Sequence, residues 1–415
     1  MRNLTIIFHD AGGGHRNAAE ALKTALEQQY DPWNVSLSNL QELLDRIDVV
    51  KKATGLRLQD GYNLLLRKGW TRLTPQLLVL LRRTIQLHHS RIVRILQHFW
   101  SQNPTDLVLS VIPHFNRCLA ESIRKEMPSA AFVTLLTDLA DYPPNFWIVP
   151  ESEHIICGNE RAKQQALAMG HSPERIYETS GMVLKPSFYR KPRIDRDQER
   201  VKLGLQSDLP TGIVMFGGHG SASMLEIAKR VDQSSNNVQL IFLCGHNVEL
   251  AAKIRNLRLT KPALIEGFTT RVDYFMSLAD FFIGKAGPGS ISEALQFGLP
   301  LVVEQNSCTM PQERYNGPWL AEKRLGIVVR DFRKVGDALE QLLEKSTFAE
   351  LRQNVSRYKN YAVFEVPLIL DQVFHQENCG IRAHPFDLDI RRSVCQRRLG
   401  RFDLRVSPVS PSFFL

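Results

Sequence analysis

Short apolar runs alternate with longer amphipathic segments over most of the chain. Runs rich in Val, Ile, Leu and Phe are typical of buried strands, and the segments between them have helical spacing. In the first half, strands are predicted at 4–8, 107–111, 132–136 and 154–157. In the second half, they are predicted at 211–216, 239–244, 263–265, 281–284, 301–304 and 327–329. Strands that alternate with helices indicate an α/β fold with parallel sheets and crossover helices.

A proline-containing segment at 185–192 separates the two series and is predicted to be a linker. With 415 residues the chain is long enough for two domains. We therefore expect one domain over residues 1–188 and a second over 189–360, ending in helices at 335–344 and 349–358. Residues 380–415 are rich in arginine, lack a sustained period and are expected to be disordered or an unrelated tail.

Glycine-rich turns follow several predicted strands and precede helices. They contain Gly13 and Gly14, then Gly217, Gly218 and Gly220, and finally Gly287 and Gly289 with Ser290. Unpaired N–H groups at a helix N-terminus suit a phosphate group, and Ser221 is expected to cap the helix after the second turn. The full dinucleotide fingerprint and the P-loop ending are both missing from these turns.

The third turn leads into a helix that we expect to end at Gly298. Glu293 is predicted in the first turn of this helix, where the helix dipole favours a carboxylate. Such a carboxylate can accept hydrogen bonds from a sugar diol, so the turn suits a nucleotide sugar. An ordinary strand-to-helix corner with a capping carboxylate is the alternative.

The formal net charge is +9, and residues 51–100 carry much of the basic excess. Apolar positions at helical spacing accompany Arg82, Arg83, Arg91 and Arg94 there, which is typical of a helix at an anionic membrane surface. The alternative is an amphipathic helix that packs on its own domain. No nucleic-acid-binding motif is visible, so we expect no nucleic acid partner.

Other features indicate a peripheral rather than a membrane-spanning protein. No uninterrupted apolar run reaches about 18 residues, and the N-terminus leads directly into a strand without a signal pattern. The six cysteines lack metal-ligand spacing and suit a reducing compartment. We therefore expect a cytoplasmic, peripherally membrane-associated protein, and the sequence does not indicate its oligomeric state.

Several motifs occur in an order that resembles a known family. They are AGGGHR at 11–16, TDL at 137–139, GGHG at 217–220, KAGPGS at 285–290 with Glu293, and PQERYN at 311–316. Over residues 3–370 the chain resembles the monogalactosyldiacylglycerol synthase and diacylglycerol glucosyltransferase family, and more distantly MurG. The resemblance implies a GT-B fold, with two facing Rossmann-like domains and a cleft between them. His219 departs from the longer glycine run that such transferases carry, and residues 361–379 are expected to form a helix that returns to the first domain.

The resemblance also implies an activity, namely inverting transfer of a galactose or glucose from a UDP-sugar to a lipid acceptor, expected to be diacylglycerol. His15 follows the first strand, where α/β sheets place ligands, and a histidine can accept a proton at neutral pH. Asp138 is the second candidate for the base or an orienter of His15. Either side chain could instead be a helix or turn cap.

The remaining roles come from the same resemblance. Arg16, with Gly13 and Gly14, is assigned to the acceptor and phosphate side, and Lys285 is a further cation for the leaving group. No metal or cofactor is implied, and the Asp195 and Asp387 Asp-x-Asp spacings lie in the linker and the tail. Donor binding is assigned to Gly217, Gly218, Gly220, Phe268, Gly287, Gly289, Ser290, Glu293, Gln312, Glu313 and Asn316.

Some of these assignments have structural alternatives. Phe268 could be a core phenylalanine rather than a neighbour of the uracil ring, and the polar residues after Pro311 could simply begin a helix. Other activities also fit the motifs. They are MurG-like transfer of N-acetylglucosamine to a lipid-linked or lipopolysaccharide precursor, a UDP-sugar epimerase, and a non-enzymatic UDP-sugar-binding protein.

Overall fold

A computed structural model describes residues 2–10, 13–29, 31–45, 74–190 and 192–379. The first half forms a six-stranded parallel sheet with the strand order β2-β1-β3-β4-β5-β6. Its strands are β1 (Asn3–Phe8), β2 (Asn34–Asn39), β3 (Leu107–Ser110), β4 (Ala131–Leu135), β5 (His154–Cys157) and β6 (Ile176–Glu178).

The second half forms another six-stranded parallel sheet, ordered β12-β11-β10-β7-β8-β9. Its strands are β7 (Thr211–Met215), β8 (Gln239–Leu243), β9 (Ala263–Glu266), β10 (Phe281–Lys285), β11 (Leu301–Glu304) and β12 (Gly326–Val329). Each sheet has apolar clusters on both faces, because helices cover both sides of a parallel sheet. The two halves therefore have the predicted doubly wound architecture.

Helices connect and cover the strands. In the first half they are α1 (Gly14–Glu27), α2 (Leu40–Leu44), α3 (Thr74–Leu87), α4 (His89–Gln102), α5 (Asn116–Glu126) and α6 (Glu160–Ala168). In the second half they are α7 (Arg196–Lys202), α8 (Ser223–Gln233), α9 (Val248–Arg255), α10 (Val272–Leu278), α11 (Pro288–Gln296), α12 (Asn316–Glu322), α13 (Val335–Leu343), α14 (Lys345–Arg357) and α15 (Ala362–Cys379).

The last helix returns to the first sheet. Val366, Ile369, Leu370 and Val373 of α15 are buried in the same apolar cluster as residues of β1, β3 and β4. Asp371 of this helix accepts hydrogen bonds from Arg2 and from the indole of Trp33, both at 2.8–2.9 Å. We call each sheet with its covering helices a lobe. The first lobe therefore contains the beginning of the chain and also residues 362–373.

Two connections between the lobes run side by side. Ser180 donates to the carboxylate of Glu365, and Asn360 donates to the Met182 carbonyl at 2.8 Å. Gly181 lies so close to this pair that an added Cβ would stand 2.7 Å from the Asn360 side chain. The crossing is thus tightly packed.

Several boundaries differ from the sequence-based predictions. Strands β2 and β6 were not predicted, because β2 alternates exposed and buried positions at the sheet edge and β6 has only three residues. Helix α1 begins at Gly14 rather than at residue 17, which places His15 and Arg16 within its first turn. The expectations for residues 46–73 and 380–415 concern positions outside the described residues.

Candidate active site

His15 lies at the carboxyl edge of the first sheet. Gly13 precedes α1 with a φ of 82°, a left-handed conformation that suits glycine, and this turn brings His15 back over the end of β3. The His15 Nδ1 atom is 2.8 Å from the Val111 carbonyl oxygen and 3.1 Å from the Thr137 hydroxyl oxygen. A carbonyl can only accept, so Nδ1 carries the proton and Nε2 keeps a free lone pair. Burial lowers the pKa of His15 to about 4, so the imidazole is neutral at pH 7.

Asp138 follows β4 and is buried beside the same edge. Its Oδ2 atom accepts a 2.8 Å hydrogen bond from the Trp147 indole, and the Trp147 ring centroid lies 5.8 Å from that of His15. Burial raises the pKa of Asp138 to about 7, and the nearby charge of Glu313 raises it further. The predicted orienting role toward His15 is wrong for this structure, because the Val111 carbonyl orients the ring.

Arg16 is paired within its own lobe. Its guanidinium forms an ion pair with Asp10 and lies over the Phe8 ring at 4.9 Å. The hydrogen bond to Asp10 raises the pKa of Arg16. Asp10 thus partly balances the charge of Arg16 in this structure, and the place of Arg16 on the acceptor and phosphate side stays a prediction.

The second glycine turn joins β7 to α8. Gly217 and Gly220 adopt φ values of 75° and 61°, which only glycine tolerates readily. The His246 amide donates to the Gly218 carbonyl at 2.9 Å, so the turn packs against the loop after β8. The N-cap of α8 is Ala222 and not the predicted Ser221, although the Ser221 hydroxyl accepts a bond from the Ser223 amide at 3.2 Å.

The third glycine turn joins β10 to α11. Gly287 is the N-cap, Pro288 is the first helical residue, and Gly289 and Ser290 complete the first turn. Glu293 therefore lies in the second turn, and its predicted first-turn position is wrong because the helix begins three residues earlier than its apolar pattern indicates. Burial raises the pKa of Glu293 to about 7, while the positive charge of Lys185 opposes this shift.

Lys285 and Glu313 connect this turn with the segment after β11. The Lys285 Nζ atom lies 2.8 Å from Glu313 Oε1, and Gly287 lies directly against the pair. Asp138 of the first lobe is near enough for its charge to interact with both partners. Burial acts to lower the pKa of Lys285, but Glu313 and Asp138 reverse this and leave it raised. A compact charge cluster thus spans the two lobes.

The residues after Pro311 have distinct positions. Asn316 is fully buried, and its side-chain amide donates a 2.7 Å bond to the Ala286 carbonyl. Asn316 therefore holds the third glycine turn in place, while its Oδ1 atom is buried without a partner among the described residues. Its contact with a hexose stays a prediction. Glu313 is buried against Lys285, and Gln312 is half-buried with its amide 4.0 Å from the Met310 sulfur.

Phe268 is an exposed aromatic side chain, with 57% of its surface accessible. This exposure contradicts the alternative that it belongs to the core. Its ring stacks on the imidazole of His246, with a centroid distance of 3.9 Å and an interplanar angle of 18°. The His219 ring lies 6.0 Å from His246, so an aromatic group borders the second glycine turn.

Several residues at this edge were not singled out from the sequence. His9 lies 6.0 Å from the His15 ring, His114 follows β3, and Trp147 bridges toward Asp138. His246 likewise stacks on Phe268 from a separate loop. His9, His114 and His246 come within four residues of a strand end, which was the one sequence feature that could have indicated them, whereas Trp147 lies in the long connection between β4 and β5.

The basic amphipathic segment divides into two kinds of helix. Ile92, Val93, Leu96 and Trp100 of α4 are buried in the first lobe, as the packing alternative predicts. In α3, however, Val79, Leu80 and Leu87 are exposed, Leu80 at 61% and Leu87 at 84%. Of the helices in the described part of the chain, none is long and apolar enough to cross a membrane.

Comparisons with known proteins agree with this arrangement. Residues 15–183 match the family model described as monogalactosyldiacylglycerol (MGDG) synthase, and residues 213–373 match the glycosyltransferase family 28 C-terminal domain. The chain is a glycosyltransferase that is similar to the monogalactosyldiacylglycerol synthases. The first matched segment contains β2–β6, and the second contains most of β7 and all of β8–β12. Strand β1 lies before the first match, as do His9, Gly13 and Gly14.

Relatives of this glycosyltransferase include plant proteins. It is 25% identical over 398 residues to the chloroplastic monogalactosyldiacylglycerol synthase of Spinacia oleracea, covering 91% of this chain and 73% of that protein. It is 28% identical over 421 residues to the probable monogalactosyldiacylglycerol synthase 2 of Oryza sativa subsp. japonica, covering 93% and 84%.

Solved structures show the same fold. Staphylococcus aureus MnaA in complex with UDP superposes with a TM-score of 0.60 at 13% identity, covering 94% of this chain and all of that one. Acinetobacter baumannii MurG superposes with a TM-score of 0.58 at 12% identity, covering 89% and 99%. The predicted GT-B architecture of two facing Rossmann-like domains is confirmed.

Proposed function

We propose that this glycosyltransferase moves galactose from UDP-galactose to the free hydroxyl of diacylglycerol, with inversion at the anomeric carbon. The observation that carries the proposal is the neutral imidazole of His15, fixed by the Val111 carbonyl with a free Nε2 at the edge of the first sheet. The names of the plant relatives support the sugar and the acceptor. The UDP bound to MnaA supports the nucleotide.

In the proposed reaction, His15 acts as the general base. Its Nε2 atom takes the proton of the acceptor hydroxyl while that oxygen attacks the anomeric carbon from the face opposite the diphosphate. The bond between the anomeric carbon and the diphosphate oxygen breaks, and UDP leaves with the electron pair. A single displacement of this kind inverts the configuration.

The second lobe is proposed to hold the donor. Backbone N–H groups of the turns at Gly217–Gly220 and Gly287–Ser290 would face the diphosphate, as helix N-termini commonly do. Lys285 adds a positive charge beside the third turn. Glu293 would accept hydrogen bonds from the ribose, and the exposed Phe268 would lie against the uracil.

The hexose would lie between the lobes, near the charge cluster of Asp138, Lys285 and Glu313. Glu313 and Gln312 carry oxygen and amide groups that can bind sugar hydroxyls. We further propose that residues 1–188 bind the acceptor and residues 189–360 the donor, with no metal ion needed for the leaving group.

Peripheral membrane binding is proposed for the exposed face of α3. Val79, Leu80 and Leu87 present apolar surface there, and Arg83 lies exposed beside them. An amphipathic helix of this kind binds an anionic bilayer through buried apolar area and through attraction of its basic residues. The acceptor would then reach the site from the bilayer.

The direct test is transfer from radiolabelled UDP-galactose, UDP-glucose or UDP-N-acetylglucosamine to diacylglycerol in mixed micelles. We expect labelled galactolipid, and His15→Ala should lower its rate by about 10²–10⁴-fold without weakening UDP binding. His98→Ala, at an exposed histidine of α4, is the matched control. No label in the diacylglycerol, or free epimerised nucleotide sugar as the product, would contradict the proposed function.

A pH profile separates the two candidate bases. Because the pKa of His15 is about 4 and that of Asp138 about 7, they become competent in different ranges. With His15 as the base, kcat/KM for the acceptor at saturating donor should stay level from pH 6 to 8. An acid limb near pH 7 that disappears in Asp138→Asn would instead assign the base to Asp138.

A further inference from the structure

His114 has an unusual backbone and an unusual environment. It follows β3 with a φ of 68°, a left-handed conformation that few non-glycine residues adopt. Its amide donates to the Phe146 carbonyl at 2.8 Å, and its ring meets the Phe146 ring edge-on at 4.4 Å. A residue held in such a conformation by its surroundings is a candidate for a functional role.

The two ring nitrogens of His114 are buried, and neither has a hydrogen-bond partner among the described residues. Buried polar atoms in proteins are nearly always paired, so an orphaned donor and acceptor indicate that something else binds there. Burial lowers the pKa of His114 to about 3, and the charge of Arg82 acts in the same direction. The ring is therefore neutral and offers one N–H donor and one acceptor.

His114 lies on the acceptor side of the site. His9, whose ring is 6.0 Å from that of His15, is close enough to His114 for their charges to interact. Arg82 of α3 is also close enough for its charge to act on His114, and it donates to the Pro144 and Asn145 carbonyls at 3.0 and 2.9 Å. His114 thus interacts both with a neighbour of His15 and with α3, the helix whose apolar residues are exposed.

We propose that His114 is an acceptor-positioning residue whose ring N–H donates to an ester carbonyl of diacylglycerol. This inference rests on the proposed function. The acceptor hydroxyl has to donate to His15 Nε2, which leaves the ester oxygens as the hydrogen-bond acceptors of the lipid headgroup. The buried N–H group of His114, which is connected to His15 through the neighbouring His9 ring, matches that need. The acyl chains would then extend toward α3.

The test combines a variant with an altered acceptor. Dioctanoylglycerol has ester carbonyls, whereas the dioctyl ether analogue keeps the hydroxyl and lacks them. We expect the wild-type protein to use the ester with about tenfold higher kcat/KM, the effect of one buried hydrogen bond. His114→Leu should use both acceptors equally, with the KM for UDP-galactose unchanged.

Further variants make the result specific. His114→Asn should recover part of the ester preference, because asparagine retains an N–H donor and tolerates positive φ. His114→Gly also removes the ring, and glycine adopts the positive φ at this position without strain. It replaces the leucine variant in the test if that variant does not fold. His98→Leu should behave as the wild type.

Two outcomes are distinguishable. If the wild type transfers sugar but His114→Leu and His114→Gly keep the full ester preference, only the inference about His114 is overturned. If the wild type neither binds nor glycosylates dioctanoylglycerol, the proposed function fails and the inference fails with it. Binding is followed as the shift in thermal midpoint on adding dioctanoylglycerol in the presence of UDP.

Discussion

Replacing Asp138 by asparagine should stabilise the protein, and the gain should depend on pH. The carboxyl group is buried and its pKa is raised from 3.8 to about 7. In the unfolded chain it ionises near pH 4, whereas in the folded protein it keeps its proton up to about pH 7. The folded state is therefore favoured fully below pH 4, and this contribution is lost as the pH rises to 7.

The size of the effect follows from the shift. A difference of about three pKa units corresponds to roughly 4 kcal/mol at pH 8, as an upper value. Asparagine has a similar shape, never ionises, and keeps an oxygen that can accept the Trp147 indole hydrogen bond of 2.8 Å. The variant therefore avoids the burial of a negative charge without losing its hydrogen bond.

The assay is calorimetric melting of wild type and Asp138→Asn at pH 5 and pH 8. We expect a midpoint higher by on the order of 5 °C for the variant at pH 8, and a clearly smaller difference at pH 5, where the folded protein keeps the Asp138 proton and only the unfolded chain has lost it. Asp208→Asn, at an exposed carboxylate, controls for the general loss of a negative charge. A variant that is less stable than the wild type at pH 8, or a midpoint difference that is the same at both pH values, would refute the reasoning.

Three further predictions concern donor and membrane binding. Asn316→Leu removes the bond to the Ala286 carbonyl and should raise the KM for UDP-galactose about tenfold, while an unchanged KM would exclude the proposed support of the glycine turn. Burial raises the pKa of Glu293 to about 7, so UDP affinity measured by calorimetry should increase from pH 6 to pH 8 as the carboxylate forms. Glu293→Gln should lose this pH dependence, and an identical dependence in the variant would rule out the ribose contact. The double change Leu80→Glu and Leu87→Glu should abolish sedimentation with anionic liposomes but keep transfer to dioctanoylglycerol in detergent, and retained sedimentation would show that α3 is not the membrane contact.

The fold could be predicted from the sequence because central parallel strands are continuous apolar runs. Strand β5 was predicted at its observed boundaries, and β10 within one residue. Strand β2 was missed because an edge strand with partly exposed positions has no such run. The start of α11 was also missed. The helix begins at Pro288, whereas its apolar positions at helical spacing begin only at Ile291.

The candidate site was only partly predictable. Glycine turns are visible in sequence because each needs a specific residue at a specific place, as the positive φ of Gly217 and Gly220 shows. Pairings between distant segments leave no such pattern. The contact of Lys285 with Glu313 joins positions 28 residues apart, and the bond from His15 to Val111 spans 96. Those partners are known only once the strands are ordered in the sheet.

The return of α15 to the first lobe has a consequence during synthesis. All strands of the first sheet have left the ribosome once residue 178 has emerged, but the helix that covers one face begins at residue 362. At ordinary rates of translation that helix follows roughly 10 to 40 s later. Until then the surface that Val366, Ile369 and Val373 will bury is open to chaperones and to aggregation, so the half of the enzyme made first is expected to be the last to reach its native state.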